Sequence, residues 1–145
     1  MLLGKFSQTM DAKNRLTLPP AFRAALKGGA YMTQGFDRNL QILTARAFQQ
    51  LYRRASSLNI ADPLARLLLR LFLGTAVKLQ GEKKVTITVP EDLKEFAALQ
   101  SDVVLVGQGD YIEVWAPELW SAQEAQLRDA EANSSRFAAL PIATP

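Results

Sequence analysis

The stretch "MDAKNRLTLPPAFRAAL", Met10 to Leu26, is echoed by "EKKVTITVPEDLKEFA", Glu82 to Ala97, at an offset of 71 (82 − 11). Each copy opens on an acidic residue, Asp11 or Glu82, with a lysine two positions on. An alternating apolar run, a proline and a short helical pattern then follow in the same order. In the first copy Leu16 and Leu18 fall on one face of a strand, with Arg15 and Thr17 on the other. Pro19 cannot donate to a ladder, so pairing is expected to stop there, and Pro20 suits the first turn of a helix. Phe22, Ala25 and Leu26 keep helical spacing until Lys27-Gly28-Gly29 ends the element. The second copy repeats this with Ile87 and Val89, then Pro90, then Leu93, Phe96 and Ala97.

The agreement continues downstream with one extra residue. "GFDRNLQILTARAF" (Gly35 to Phe48) lies over "GQGDYIEVWAPELW" (Gly107 to Trp120) at an offset of 72 (107 − 35). Gapped self-similarity of this length marks a duplicated unit: strand, strand, short helix, strand, strand, helix. A four-stranded unit with open edges and few apolar residues is marginal in water by itself. The two copies are therefore expected to interleave their strands in one pseudo-symmetric domain of the α+β class, mainly β. The chain divides into residues 1–60, the first unit with its helix; 61–74, a leucine-rich connecting helix; 75–130, the second unit with its helix; and 131–145, a flexible C-terminal tail.

The helices have readable caps. Thr44 is an N-cap candidate ahead of the stripe Phe48, Leu51, Tyr52 and Ala55. Asp62 caps and Pro63 opens a helix with Leu64, Leu67, Leu68 and Leu71 on one stripe. That helix also carries Leu69, Phe72 and Leu73, so it is apolar nearly all round except at Arg66 and Arg70, and it must be covered on two sides. The second cover is either the rest of the chain or another subunit.

Composition narrows the chemistry. The 145 residues contain neither cysteine nor histidine. Disulfides, thiolate metal sites, the usual zinc ligand and the Ser-His and Cys-His dyads are thereby removed. The apolar run Leu64 to Val77 is broken by two arginines and is too short to span a bilayer. "MLLGKF" is too short for a signal peptide, so the cytoplasm is the expected location. A net charge of +3 and a pI near 9.4 permit a polyanionic partner without requiring one. The G-x-G of Gly107-Gln108-Gly109 precedes a strand and lacks a following lysine, which suits a hairpin turn better than a phosphate cradle. No cofactor, metal or small-molecule substrate is expected.

What remains is the repeated turn. Lys13, Asn14 and Arg15 place two cations and an amide between two strands. Arginine matches guanine O6 and N7 by a bidentate fork, and asparagine matches adenine N6 and N7. Lys83 and Lys84 add charge at the corresponding turn. Asp11 either holds Arg15 or forms an Asx turn. A solvated polar turn explains either segment alone, and the repetition favours a nucleic-acid contact.

"MDAKNRLTLPPAFR", its diverged second copy and "VVLVGQGDYIEVWAPELW" together resemble the MraZ family, two-copy members of the AbrB-like swapped-hairpin fold. The resemblance covers Met1 to about Leu127. It implies a β-barrel of two interleaved swapped hairpins in a cytoplasmic, nucleoid-associated transcriptional regulator of the division and cell-wall gene cluster. It also implies a homo-oligomeric ring that binds direct repeats in promoter double-stranded DNA. The family's motif is Asp-x-x-x-Arg, usually Asp-x-x-Gly-Arg. Here Asn14 stands for the glycine, a mild change because asparagine tolerates a left-handed backbone. In the second copy Glu82, Val85 and Thr86 stand for the aspartate, glycine and arginine. On this reading Arg15 carries specificity, Lys13 and Asn14 assist it, Lys83 and Lys84 attract phosphates, and Asp11 and Glu82 support the two turns. The alternatives are an antitoxin-like protein whose main partner is another protein, a structural oligomer that has lost DNA binding and, last, an enzyme.

Overall fold

The computed structural model describes residues 1–79 and 86–142. The first copy supplies β1 (Lys5–Thr9), β2 (Arg15–Thr17), α1 (Pro20–Arg23), β3 (Ala30–Gln34), β4 (Leu40–Thr44) and α2 (Ala45–Ser56). The connecting helix is α3 (Pro63–Gly74). The second copy supplies β5 (Val77–Leu79), β6 (Thr86–Thr88), α4 (Glu91–Phe96), β7 (Asp102–Gly107), β8 (Tyr111–Trp115) and α5 (Pro117–Arg128), followed by α6 (Ala130–Ala138).

The strands interleave as the duplication predicts. β1 pairs antiparallel with β7 of the other copy, and β5 pairs with β3. The larger sheet runs β1-β7-β8-β4-β3-β5, and β2 pairs with β6 in a separate two-stranded ribbon. β1 and β2 join at a turn yet do not pair with each other, which is the swapped arrangement. The pairings obey a pseudo-twofold. Leu16↔Ile87 in the ribbon and Gln41↔Glu113 at the sheet centre each map onto themselves when the copies are exchanged.

One register differs from the sequence alignment. Met32↔Ile42 has its counterpart in Leu105↔Val114, so β3 matches β7 at an offset of 73 (105 − 32). Gly107 therefore takes the place of Gln34 and not that of Gly35. The G-x-G forms the β7–β8 hairpin as expected, but its glycines have two different reasons. Gly109 sits at φ 85°. A Cβ on Gly107 would come within 2.6 Å of the Leu2 carbonyl oxygen. Leu2 is itself fully buried and bonded both ways to Gly109 (2.8 and 2.7 Å).

A single main core lies between the ribbon and the inner face of the large sheet. It joins Leu16, Leu18, Ile87 and Val89 to Met32, Leu40, Ile42, Leu105, Ile112 and Val114. Phe22 and Leu93, from the matching short helices α1 and α4, are also fully buried in it. The sheet's outer face is covered by helices. Tyr31 of β3 stacks on Phe48 of α2 (4.1 Å between centroids), and Phe48 stacks on Phe72 of α3 (5.3 Å). On the second copy's side, Trp115 of β8 packs on Trp120 of α5 (5.7 Å).

The expected caps are present. Thr44 accepts from the Ala47 amide (3.1 Å) and Asp62 from the Leu64 amide (2.9 Å). The buried side of α3, however, is Ala65 and Phe72, while Leu64 and Leu67 are 70% and 61% exposed. Leu68, Leu69, Leu71 and Leu73 are half-buried, so the chain covers one side of the helix and leaves Leu64 and Leu67 outside. The end of the chain also differs from the expected tail. Asp129 accepts from the Ala132 amide (3.1 Å) and starts α6, a nine-residue helix. A cap and alanines of high helix propensity suffice there without an apolar stripe. Among the described residues, no helix is long and apolar enough to cross a membrane.

Because Leu16 and Ile87 meet across the pseudo-twofold, Leu16→Ala should destabilise both halves at once. Its side chain is fully buried, and the expected loss is about 2–5 kcal/mol. Urea unfolding followed by circular dichroism and by tryptophan fluorescence, which reports the second copy's Trp115 and Trp120, should give coincident transitions. Separate midpoints would contradict a shared core.

Candidate nucleic-acid interface

The first turn is built around one carboxylate. Asp11 Oδ1 accepts from the backbone amides of Lys13 and Arg15, each at 2.9 Å. Asp11 Oδ2 accepts from Arg15 Nε at 2.6 Å. Both functions expected of Asp11, the Asx turn and the hold on Arg15, are thus met by the same side chain. Backbone bonds from Asp11 N to Arg15 O and from Asn14 N to Asp11 O, both 3.0 Å, close the loop. Asn14 takes the left-handed conformation, φ 59°, at the position where the motif usually has glycine.

This geometry directs Arg15. With Nε committed to Asp11, the two terminal nitrogens form the remaining donor edge and are bonded to none of the described residues. That edge is the one used in end-on bidentate contacts. The side chain is 51% exposed. In the ribbon, Leu16 and Ile87 point into the core while Arg15, Thr17, Thr86 and Thr88 are exposed. The exposed face is thus polar throughout, and it lies across the core from the helix-covered face of the large sheet. A two-stranded ribbon is narrow enough to enter a major groove. Thr86, the counterpart of Arg15, occupies the symmetry-related place with a short hydroxyl in place of a guanidinium.

The other predicted residues divide. Lys13 is exposed at the tip of the turn. Asn14 is half-buried and its amide is engaged. Its Nδ2 donates to Glu91 Oε2 (2.8 Å) and its Oδ1 accepts from Lys94 Nζ (2.8 Å). Pairing with adenine would require both bonds to break. Glu82, Lys83 and Lys84 lie outside the described residues, as does Val85. Sequence reasoning missed Glu91 and Lys94. The available signal was that α4 opens on an acidic residue where α1 opens on Pro20.

The Asp11 carboxyl is held below its ordinary value, chiefly by the Arg15 backbone amide, with the Arg15 guanidinium and the Lys13 amide adding to the effect. A native pKa below the unfolded one means that the turn's contribution to stability is present above the ordinary aspartate value. That contribution is lost as pH falls through the lowered native value. A carbon-13 titration of the Asp11 carboxyl should have its midpoint below 3.8, the ordinary value. A midpoint at or above it would contradict the turn geometry.

A profile described as "MraZ protein, putative antitoxin-like" matches the chain twice, over residues 1–71 and 72–139. A protein named transcriptional regulator MraZ from Thermomicrobium roseum is 37% identical over 134 residues, covering 92% of this chain and 94% of its own length. Proteins of the same name from Herpetosiphon aurantiacus and Mycobacterium tuberculosis are 37% and 38% identical over 120 residues, 83% of this chain and 84% of theirs. With both copies matched and the similarity running through nearly the whole chain, this protein belongs to the MraZ family.

Proposed function

We propose that this protein is a sequence-specific DNA-binding transcriptional regulator that reads a duplex groove with the ribbon β2–β6. The reading is carried by the Arg15 guanidinium, which is oriented through Nε by Asp11 and presents its terminal edge on an exposed, wholly polar ribbon face. A fork so held suits guanine O6 and N7, and the neighbouring threonines add short donors and acceptors. Lys13 at the turn tip is placed to meet a phosphate. Lys83 and Lys84 serve the same purpose by sequence. The names of the relatives support regulation of transcription. The family resemblance supports a target in the promoter of the division and cell-wall cluster, with the protein acting in the cytoplasm on the nucleoid.

Assembly belongs to the same reading. Leu58, Ile60, Leu64 and Leu67 are exposed along α3 and the loop before it, an apolar row suited to an interface. It lies on the helix side of the sheet, away from the ribbon. A second copy covering it leaves the Arg15 turns of a ring facing outward, where each meets one direct repeat. Several linked weak contacts then raise apparent affinity without any new contact. The alternative, an antitoxin-like protein, places a different protein on that apolar face.

The test is binding to the DNA upstream of the protein's own gene, alongside a scrambled duplex. Affinity should fall log-linearly with salt. Arg15→Ala should cost about 1–3 kcal/mol of discrimination per site, with weaker loss on the scrambled duplex. Equal loss on both duplexes would remove Arg15 from the reading role. Native mass spectrometry should give a closed multimer, and a monomer at micromolar concentration would contradict the ring.

A further inference from the structure

We infer that Glu91 and Lys94 of α4 are positioning residues for DNA reading, acting through a clasp on Asn14 that sets the turn carrying Arg15. The inference rests on the DNA-binding reading above and deepens it. Three bonds tie the second copy to the first copy's turn: Asn14 Nδ2 to Glu91 Oε2, Lys94 Nζ to Asn14 Oδ1, and the Val89 amide to the Asn14 carbonyl oxygen (2.9 Å). Asn14 is adjacent to Arg15, and its left-handed φ decides the direction in which the chain enters β2. Glycine at this position would allow the same φ but would leave the backbone free to depart from it. Asparagine gripped from both ends of its amide supplies the conformation together with a restraint.

The side-chain part of the clasp has no counterpart in the residue types of the other copy. The counterpart of Glu91 is Pro20, which has no carboxylate, and the counterpart of Asn14 is Val85, which has no side-chain amide. Lys94 corresponds to Arg23, whose Nε donates instead to the Leu18 carbonyl oxygen (2.9 Å). The first copy thus keeps the arginine and receives the brace, while the second copy has lost the arginine and provides the brace. The divergence between the copies is accordingly a division of work: one half reads and the other half holds the reader.

A double-mutant cycle on the full-length protein tests this, with Asn14→Gly, Glu91→Ala and the double variant. The main readout is the ratio of affinities for the upstream duplex and for its scrambled version, which cancels the general electrostatic effect of removing a carboxylate. Each single variant should lower that ratio about 3- to 10-fold, and the double variant should lower it no further than either single one. A readout without DNA accompanies it: amide hydrogen exchange at Arg15 should speed up at least about tenfold in both single variants, while the amides of β4 and β8 keep wild-type rates. Additive effects in the cycle, or an unchanged ratio beside faster exchange, would overturn the positioning role. Arg15→Ala is measured in parallel. If it leaves the ratio unchanged, the DNA-reading assignment falls and the inference falls with it. If it abolishes the ratio while the clasp variants keep theirs, only the inference is lost.

Discussion

The ladder between β1 and β7, five residue pairs from Lys5↔Val106 to Thr9↔Asp102, is the constraint on which the rest of the structure depends. A hairpin whose two strands paired with each other would satisfy its backbone locally and leave its apolar face in water. Here β1 leaves its own hairpin to pair with the other copy, and β2 crosses to meet β6. Leu16 and Leu18 then share one core with Ile112 and Val114. Each half taken alone would leave β1, β2 and β3 or their counterparts without these ladder partners and open the shared core, so the two copies complete one fold whether or not both touch a ligand. This also relaxes the demands on the second motif: its strand must keep Ile87 and Val89 in the core, but Thr86 on the outer face carries no packing duty.

The turn that carries Arg15 follows from the same topology. Because β1 and β2 do not pair with each other, the loop between them is closed by two backbone bonds, Asp11 N to Arg15 O and Asn14 N to Asp11 O, and is braced further by side chains. Asp11 supplies three acceptor contacts from within the first copy, and Glu91 and Lys94 grip Asn14 from the second. The guanidinium of Arg15 is thereby oriented before any partner arrives, which reduces the ordering cost of binding. Lysine at the same position would supply charge without the planar edge. The ribbon faces away from α2 and α3, so a contact made through α3 and a contact made through Arg15 do not compete for surface.

Much of this was legible in the sequence because its causes are local or periodic. Alternation at Leu16, Leu18, Ile87 and Val89, the prolines at 19 and 90, and the caps Thr44 and Asp62 each act within a few residues. The interleaving followed from the shortage of apolar residues per copy. Other features depend on long-range contacts that no window of sequence contains. The Asn14 clasp joins positions 77 and 80 residues apart, and Gly107 is explained only by the distant backbone of Leu2. A helix apolar all round does not announce which row is buried, and α3 turned Ala65 and Phe72 inward while leaving Leu64 and Leu67 outside. At α6, absence of an apolar stripe was a poor guide, since a cap and favourable propensity are enough for a short helix.

The most direct measurement is a map of backbone amide shifts when the full-length protein is titrated with the duplex from upstream of its own gene. Perturbations concentrated at residues 11–17 and 86–88, with α2 and α3 unmoved at constant assembly state, are the predicted result. Perturbations centred on the helical face, with the Asp11 to Arg15 turn silent, would contradict the account.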